Sequence, residues 1–179
     1  MSYSRNSNTR SQSRIRLPRI RSGEQEFKCV QCHQYVTCMP VVAGVQNRNH
    51  CPACLWSRHM DWLEAGDRLS NCRAPMQPIG LTTKRSKNKY ARERDGELML
   101  IHRCSGCAKI VINRIGGDDS TAAIFEIFDS SCDSDVLLYA ELDPSGVSLL
   151  TADDRDLVQR RLFGEILIDV EHEFMVFAE

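Results

Sequence analysis

Apolar residues in this chain alternate over short stretches and rarely recur at helical spacing. That pattern predicts short strands joined by turns, with few helices. Phe27 to Cys32 leads into a tight turn. Tyr35 to Val45 alternates loosely, punctuated by Pro40 and Gly44, and predicts short strands. Leu55, Trp56, His59, Trp62 and Leu63 fall at helical spacing and predict one short helix over about 54–64, stopped by Gly66. Residues 67–91 read as irregular, because Pro75, Pro78 and Gly80 interrupt any long element. Glu97 to Arg103 sets Leu98 and Leu100 against Met99 and Ile101, a buried strand, and Ile110 to Ile112 is its returning partner. Ala122 to Phe128 and Val136 to Leu142 are further strand candidates, and Asp143-Pro144-Ser145-Gly146 is a turn. Thr151 to Asp154 is a capping box opening a helix to about Phe163, with Gly164 as its stop. Glu165 to Phe177 alternates once more.

Cysteine spacing changes this picture most. Three Cys-x-x-Cys pairs interrupt the alternation: Cys29/Cys32, Cys51/Cys54 and Cys104/Cys107. Each places two thiols on one tight turn, and two such turns complete a tetrahedral Zn²⁺ site. Cys29, Cys32, Cys51 and Cys54 have the spacing of one two-knuckle site. A thioredoxin-like redox pair would need a CxxC opening a helix inside a βαβ unit, and nothing of that kind surrounds Cys29. Cys104 and Cys107 need two more ligands. Cys72 is the first candidate, and the fourth falls to His59 or His102, with His59 preferred. His102 shares a strand face with Cys104, which suits either a ligand or a hydrogen bond to a thiolate. The expected cofactor is therefore Zn²⁺, two ions per chain. His50 fixes the second knuckle or faces outward. Cys38 and Cys132 are left without partners.

The 179 residues carry a net charge of −1 that conceals a split. Residues 1–117 hold 20 Lys/Arg against 8 Asp/Glu, a net +12, while residues 118–179 hold 3 against 16, a net −13. The first 25 residues are Ser/Asn/Arg-rich and cannot bury enough apolar surface to offset their ordering entropy, so they read as a disordered basic arm. A second basic stretch follows, with Lys84, Arg85, Lys87, Lys89, Tyr90 and Arg92 close together. The N-terminal residues carry no apolar stretch of signal-peptide length, and no run is apolar enough to cross a bilayer. The expected compartment is the reducing cytosol, where paired cysteines bind metal or do redox work.

At these residues the chain resembles the RNHCP domain family, whose signature is Arg48-Asn49-His50-Cys51-Pro52. The surrounding pattern agrees: Phe27-x-Cys29-x-x-Cys32, Cys54-Leu55-x-Ser57-x-His59-x-Asp61, Gly66-Asp67-Arg68, Cys72, His102-Arg103-Cys104-x-x-Cys107, and Asn113-Arg114-Ile115 with Asp118-Asp119. The resemblance covers about residues 26–120. Ala108 departs from it, standing where a glycine often follows the last CxxC, and Ala65 stands where a proline would precede Gly66. The resemblance implies a small bacterial, intracellular zinc-ribbon-like protein. Its association with RNA, the ribosome or other nucleic acid is an analogy at the level of the fold.

These readings combine into an α+β chain. A small zinc-ribbon-like domain of short β-hairpins and one short helix occupies 26–120, behind the basic arm (1–25) and ahead of an acidic α+β C-terminal extension (121–179). The expected function is a zinc-stabilised module that contacts RNA or another nucleic acid through its basic part. Arg48, Lys84, Arg85, Lys87, Lys89 and Arg92 would meet phosphate, and Tyr90, Trp56 or Tyr35 would stack on bases. One alternative is a protein adaptor whose acidic half docks a basic partner or folds over the basic face. The other is a zinc hydrolase with an open second site served by Asp61 or Asp118. Asp61, Asp67, Arg68, Asn113, Arg114, Asp118 and Asp119 otherwise read as salt bridges and caps that lock the two zinc sites together.

Overall fold

A computed structural model of the protein describes residues 26–84, 96–133 and 136–164. The basic arm, Arg85, Lys87, Lys89, Tyr90, Arg92 and the strand expected over Glu165 to Phe177 lie outside the described residues.

Two antiparallel sheets carry the chain's metal-binding turns. The smaller pairs β1 (Glu26–Lys28) with β2 (Tyr35–Thr37), register Phe27↔Val36, so the first CxxC is the turn of this hairpin. The larger sheet has the order β3-β4-β5-β6: Ser57–Arg58, Pro75–Lys84, Glu97–Cys104 and Ile110–Arg114. The third CxxC is the turn between β5 and β6. Strand, CxxC turn, strand is the ribbon hairpin expected from the alternation.

Three segments differ from the reading of the pattern. No helix forms over 54–64. Leu55 takes φ 61°, which ends any right-handed helix, and Ser57 pairs instead with Met76 of β4. Residues 75–84 are not irregular but form the longest described strand. Pro75 is its first residue, and the ladder to β5 shifts register between Pro78 and Gly80, an irregularity that accommodates the missing proline donor. Ala122 to Phe128 and Val136 to Leu142 are helical rather than extended, lying in α2 (Thr121–Cys132) and α3 (Val136–Leu142). Two signals mark α2: Ile124, Phe128 and Ser131 are its buried residues, at helical spacing, and the Ser120 hydroxyl accepts from Ala123 N at 3.2 Å as an N-cap. Tyr35 to Val45 holds one strand, β2, followed by a single helical turn, α1 (Pro40–Ala43). The Thr151–Asp154 capping box is present, and α4 (Arg155–Phe163) follows it, ending at Gly164.

Alternation along β5 sorts its side chains onto two covered faces. Leu98 and Leu100 join Leu55, Leu81, Ile124, Phe128, Leu150 and Val158 in one buried cluster. Ile101 faces the other way, into Leu142 and Leu149 with Ile79, Ile110 and Leu138 packed beside them. The residues after 120 therefore supply much of the cover for both faces of the sheet. Gly80 permits this, since a Cβ there would run into the Leu149 side chain. Leu150 N then donates to Leu81 O at 2.9 Å, holding the covering segment to β4. Charge follows the same division. Arg103 pairs with Glu141 at 2.8 Å, and Arg48 with Asp118 and Asp119, so part of the acidic segment neutralises the basic one. Among the described residues no helix is long and apolar enough to cross a membrane.

Phe128 is fully buried where α2 packs on the sheet. Phe128→Ala is expected to cost about 3–5 kcal/mol of unfolding free energy, measured by denaturant titration of the zinc-loaded protein.

Candidate metal centres

Each CxxC turn is built the same way. The amide of the first cysteine donates to the carbonyl five residues on: Cys29 N to Gln34 O at 2.8 Å, Cys51 N to Trp56 O at 2.9 Å, Cys104 N to Lys109 O at 3.0 Å. In the second and third turns the residue after the second cysteine donates back, Leu55 N to Cys51 O and Ala108 N to Cys104 O. Amides also point at sulfur, with Gln31 N 3.4 Å from Cys29 Sγ and Gly106 N 3.4 Å from Cys104 Sγ. Such turns gather thiolates and partly neutralise their charge before any ion arrives.

This geometry requires an unusual backbone. His33, Leu55, Arg73 and Ala108 all have φ between 53° and 62°, and each directly follows a cysteine of the two clusters: Cys32, Cys54, Cys72 and Cys107. A left-handed conformation costs a residue with a Cβ about 1–2 kcal/mol. None of the four is glycine, so the energy of the metal-bound turn offsets the strain at each.

The sulfurs and nitrogens meet in two tetrads. In the first, Cys29, Cys32, Cys51 and Cys54 bring their sulfurs within 4.8 Å of one another, with Cys29–Cys54 at 3.5 Å and Cys32–Cys51 at 3.6 Å. In the second, His59, Cys72, Cys104 and Cys107 do the same, with Cys72–Cys104 at 3.6 Å and Cys107 Sγ 3.3 Å from His59 Nδ1. A tetrahedron of thiolates around zinc, with bonds near 2.3 Å, has edges of about 3.8 Å. Both sets of donors fit that ion, and the two tetrads are positioned to bind two zinc ions. Four protein donors fill each coordination sphere, which is the pattern of structural zinc.

The second tetrad draws on three distant segments. His59 stands just past β3, with its amide held by Ala74 O at 2.9 Å. Cys72 lies ahead of β4, and Cys104 and Cys107 flank the β5–β6 turn. Gly106 makes room for this meeting, since a Cβ there would lie 2.8 Å from Ala74 Cβ and 3.1 Å from Cys72 Sγ. The CxxC spacing carried no sign of that close approach.

Thiol acidity differs within each cluster. Burial opposes ionisation of Cys29, but the amides of Cys32 and Gln31 and the neighbouring thiols outweigh it and bring the group down to about 7. Burial pushes Cys51 and Cys54 up, aided by the charge of their neighbours. The first proton therefore leaves easily and the later ones are released as zinc enters, so metal uptake favours higher pH.

His102 lies outside both tetrads, which corrects its candidacy as a ligand. It is fully buried on β5, donates from Nε2 to Leu55 O at 2.7 Å and accepts at Nδ1 from Asn113 Nδ2 at 3.0 Å. Burial, with a smaller contribution from nearby His50, holds its pKa down to about 3, so the ring is neutral. Its role is to clamp the strained Leu55 to the sheet. Cys38 and Cys132 also lie outside both tetrads.

Arg48 is likewise turned inward, so it belongs to the fold rather than to a phosphate-facing surface. Its guanidinium is fully buried and pairs with Asp118 in a two-pronged contact and with Asp119 at 3.2 Å. Asp119, equally buried, also accepts from His50 Nε2 and Gly116 N, both at 2.7 Å. Asn49 donates to Asp61 Oδ2 at 2.9 Å and accepts from Arg68. Asp61 takes the amides of Gly66 and Arg68, and Asp67 takes those of Trp62, Leu63, Glu64 and Leu69. Those amides hold the Asp67 carboxyl well below the usual carboxylate range. The expected catalytic-looking acids are thus committed to backbone and arginine.

Of the other expected contacts, Lys84 is exposed at the end of β4. Tyr35 is 71% exposed with Lys28 Nζ 6.0 Å from its ring, whereas Trp56 is half-buried against Cys29, Val36 and Cys51.

The family model for the RNHCP domain matches residues 24–125, more than half of the chain. No curated protein and no solved structure matches the chain.

Two measurements test this arrangement. Metal analysis of the purified protein should give two zinc ions per chain, falling to one in Cys54→Ser and in Cys107→Ser and staying at two in His102→Gln. Ala108→Gly should raise the stability of the zinc-loaded protein by about 1 kcal/mol in denaturant titration, because it removes left-handed strain.

Proposed function

The chain belongs to the RNHCP domain family, and we propose that it is a zinc-stabilised nucleic-acid-binding module with RNA as its target. The observation that carries this reading is where the cations lie. The described residues hold 12 Lys/Arg and 15 Asp/Glu, so they are slightly acidic taken together. The remaining 11 Lys/Arg fall in two short stretches, 1–25 and 85–95, which contain only three acids. The first runs into β1, beside the first tetrad. The second joins β4 to β5, at the opposite end of that hairpin from the second tetrad. Met76 and Lys84 are separated by about 27 Å at strand rise, so the point where the second stretch leaves β4 is well removed from the end of the strand nearest the second tetrad. Clustered Arg and Lys with few neighbouring acids suit a phosphate backbone better than a neutral protein surface.

Closed tetrads favour binding over catalysis, since neither leaves a coordination position for substrate or water. A protein partner for the acidic segment has one feature in its favour. A groove of about 770 Å³ runs between the second CxxC turn, β4 and α2, lined by Trp56, Ile127 and Leu138 together with Glu126 and the Arg103–Glu141 pair, which leaves Glu126 as its acid without a cation partner among the described residues. A basic segment of a partner would suit it. Capture of a protein that survives nuclease treatment would support that reading in addition to the first.

Fluorescence anisotropy of a labelled single-stranded oligoribonucleotide against the full-length, zinc-loaded chain tests the main reading. The logarithm of the affinity should fall linearly with the logarithm of salt, at a slope of roughly −0.7 per phosphate contacted. Replacing Arg85, Lys87, Lys89 and Arg92 by serine should flatten that slope. Absence of binding at low salt, or binding that ignores salt, overturns the proposal.

A further inference from the structure

We infer that Trp62 is a nucleobase-stacking platform, built by the second zinc site and electrostatically dressed by Lys109. The inference rests on the nucleic-acid reading above and names a residue that makes it specific.

Trp62 lies on the loop between two ligands of one metal, His59 and Cys72. Trp62 is 54% exposed, whereas the other tryptophan of the chain, Trp56, packs against the first zinc site. The loop around it is not slack. Asp67 accepts the amides of Trp62, Leu63, Glu64 and Leu69, and Asp61 accepts those of Gly66 and Arg68. Asp61 is in turn held by Asn49, and Ser70 N is tied to Met60 O at 2.9 Å. An aromatic ring displayed on a backbone this constrained loses little freedom when a base stacks on it.

Charge around the ring suits a nucleotide. Lys109 stands two residues after Cys107, donates to Trp62 O, and holds its Nζ 5.4 Å from the ring centroid. Arg73 stands one residue after Cys72 and donates to Arg68 O at 3.0 Å, so it borders the same loop. Among the described residues neither Lys109 nor Arg73 has a carboxylate partner. Asp61 and Asp67 point their oxygens at backbone amides, which leaves Glu64 as the loop's acid without such a role. A flat ring with the Lys109 cation over one face, on a loop where neither Lys109 nor Arg73 holds a carboxylate among the described residues, suits a base together with its phosphate. Leu63 and Leu69, 83% and 68% exposed, extend the apolar surface beside it. Zinc assembles the platform: the loop hangs between His59 and Cys72, and Lys109 is delivered by the turn that ends in Cys107.

The chain's two tryptophans allow a direct readout. In full-length, zinc-loaded Trp56→Phe protein, Trp62 is the sole tryptophan. Saturating single-stranded oligouridine should quench its emission, and tripolyphosphate, which offers charge without a base, should not. Trp62→Ala should weaken oligouridine binding roughly ten- to a hundredfold without changing the salt slope, and Trp62→Phe should restore much of the loss. Zinc stoichiometry of two in each variant shows that the site survives. Tight binding by Trp62→Ala, with no quenching in the single-tryptophan protein, overturns the platform and leaves the nucleic-acid reading standing. If Trp62→Ala alters self-association or protein capture and not oligouridine affinity, the loop is a protein surface and the inference is equally wrong. Failure of the unmodified protein to bind oligouridine or other RNA at low salt removes both.

Discussion

Four donors converging on one ion is the constraint from which the rest of this structure follows. A small core carries few apolar contacts to specify long-range order, and here two tetrads supply that order at chosen points. The first fixes the β1–β2 hairpin to the turn at Cys51 and Cys54. The second joins a residue after β3, a residue before β4 and the β5–β6 turn. Together they determine how the edges of both sheets meet, and the apolar clusters fill the space that remains. The left-handed residues after Cys32, Cys54, Cys72 and Cys107 show the cost of this solution. The backbone is bent into left-handed conformations whose strain is offset where each CxxC turn gives two bonds to its ion and the Cys72 segment gives one.

The polar signature of the family acquires a physical meaning in this frame. Arg48, Asn49 and His50 precede a zinc ligand, and each reaches away from the metal. Arg48 and His50 meet the carboxylate of Asp119 next to the N-cap of α2, and Asn49 meets Asp61 and Arg68 in the loop that leads to the second tetrad. One short segment thus couples the first metal site to the helix covering the sheet and to the second metal site. The Arg48–Asp119 contact is fully buried, and removing one partner of such a pair leaves an uncompensated charge costing about 3–5 kcal/mol. That penalty suits residues whose task is to fix how elements fit together.

Six of the metal-ligating cysteines were legible because CxxC spacing is a local code, Cys72 only as the candidate left to complete the second site, and β5 was legible as a short apolar run, Leu98 to Ile101, covered on both sides. His59 and His102 could not be separated by spacing. Their difference lies in tertiary placement: one follows β3 toward Cys107, and the other points across the sheet at Leu55 O. The helix expected over 54–64 failed for a related reason. Apolar spacing there was helical, but the carboxylates of Asp61 and Asp67 captured the backbone amides, and the turn at Cys54 forced Leu55 left-handed. In α2 the opposite error arose, since Ile, Phe and Ala in succession read as a strand until the Ser120 cap and the burial of Ile124 and Phe128 are considered together. Arg48 misled because arginines near an exposed motif suggest phosphate, while its two partners lie 70 and 71 residues further along the chain.

The two metal sites differ in how they meet the solvent. Cys29 and Cys51 of the first are buried, Cys54 is partly covered and Cys32 is exposed, while Cys72 and Cys107 of the second are both exposed, although His59 and Cys104 behind them are not. An oxidant or a competing chelator thus finds two open thiolates at the second site against one, Cys32, at the first. Failure would begin there, and it would begin locally. The segment from Met60 to Asn71 is hung at both ends from that ion, whereas the sheet and its covering helices have apolar clusters of their own. The chain therefore has a natural order of coming apart, in which the exposed loop lets go while the remainder keeps its shape. Whatever that loop touches is held only while the supply of zinc is sufficient to keep the more accessible site filled.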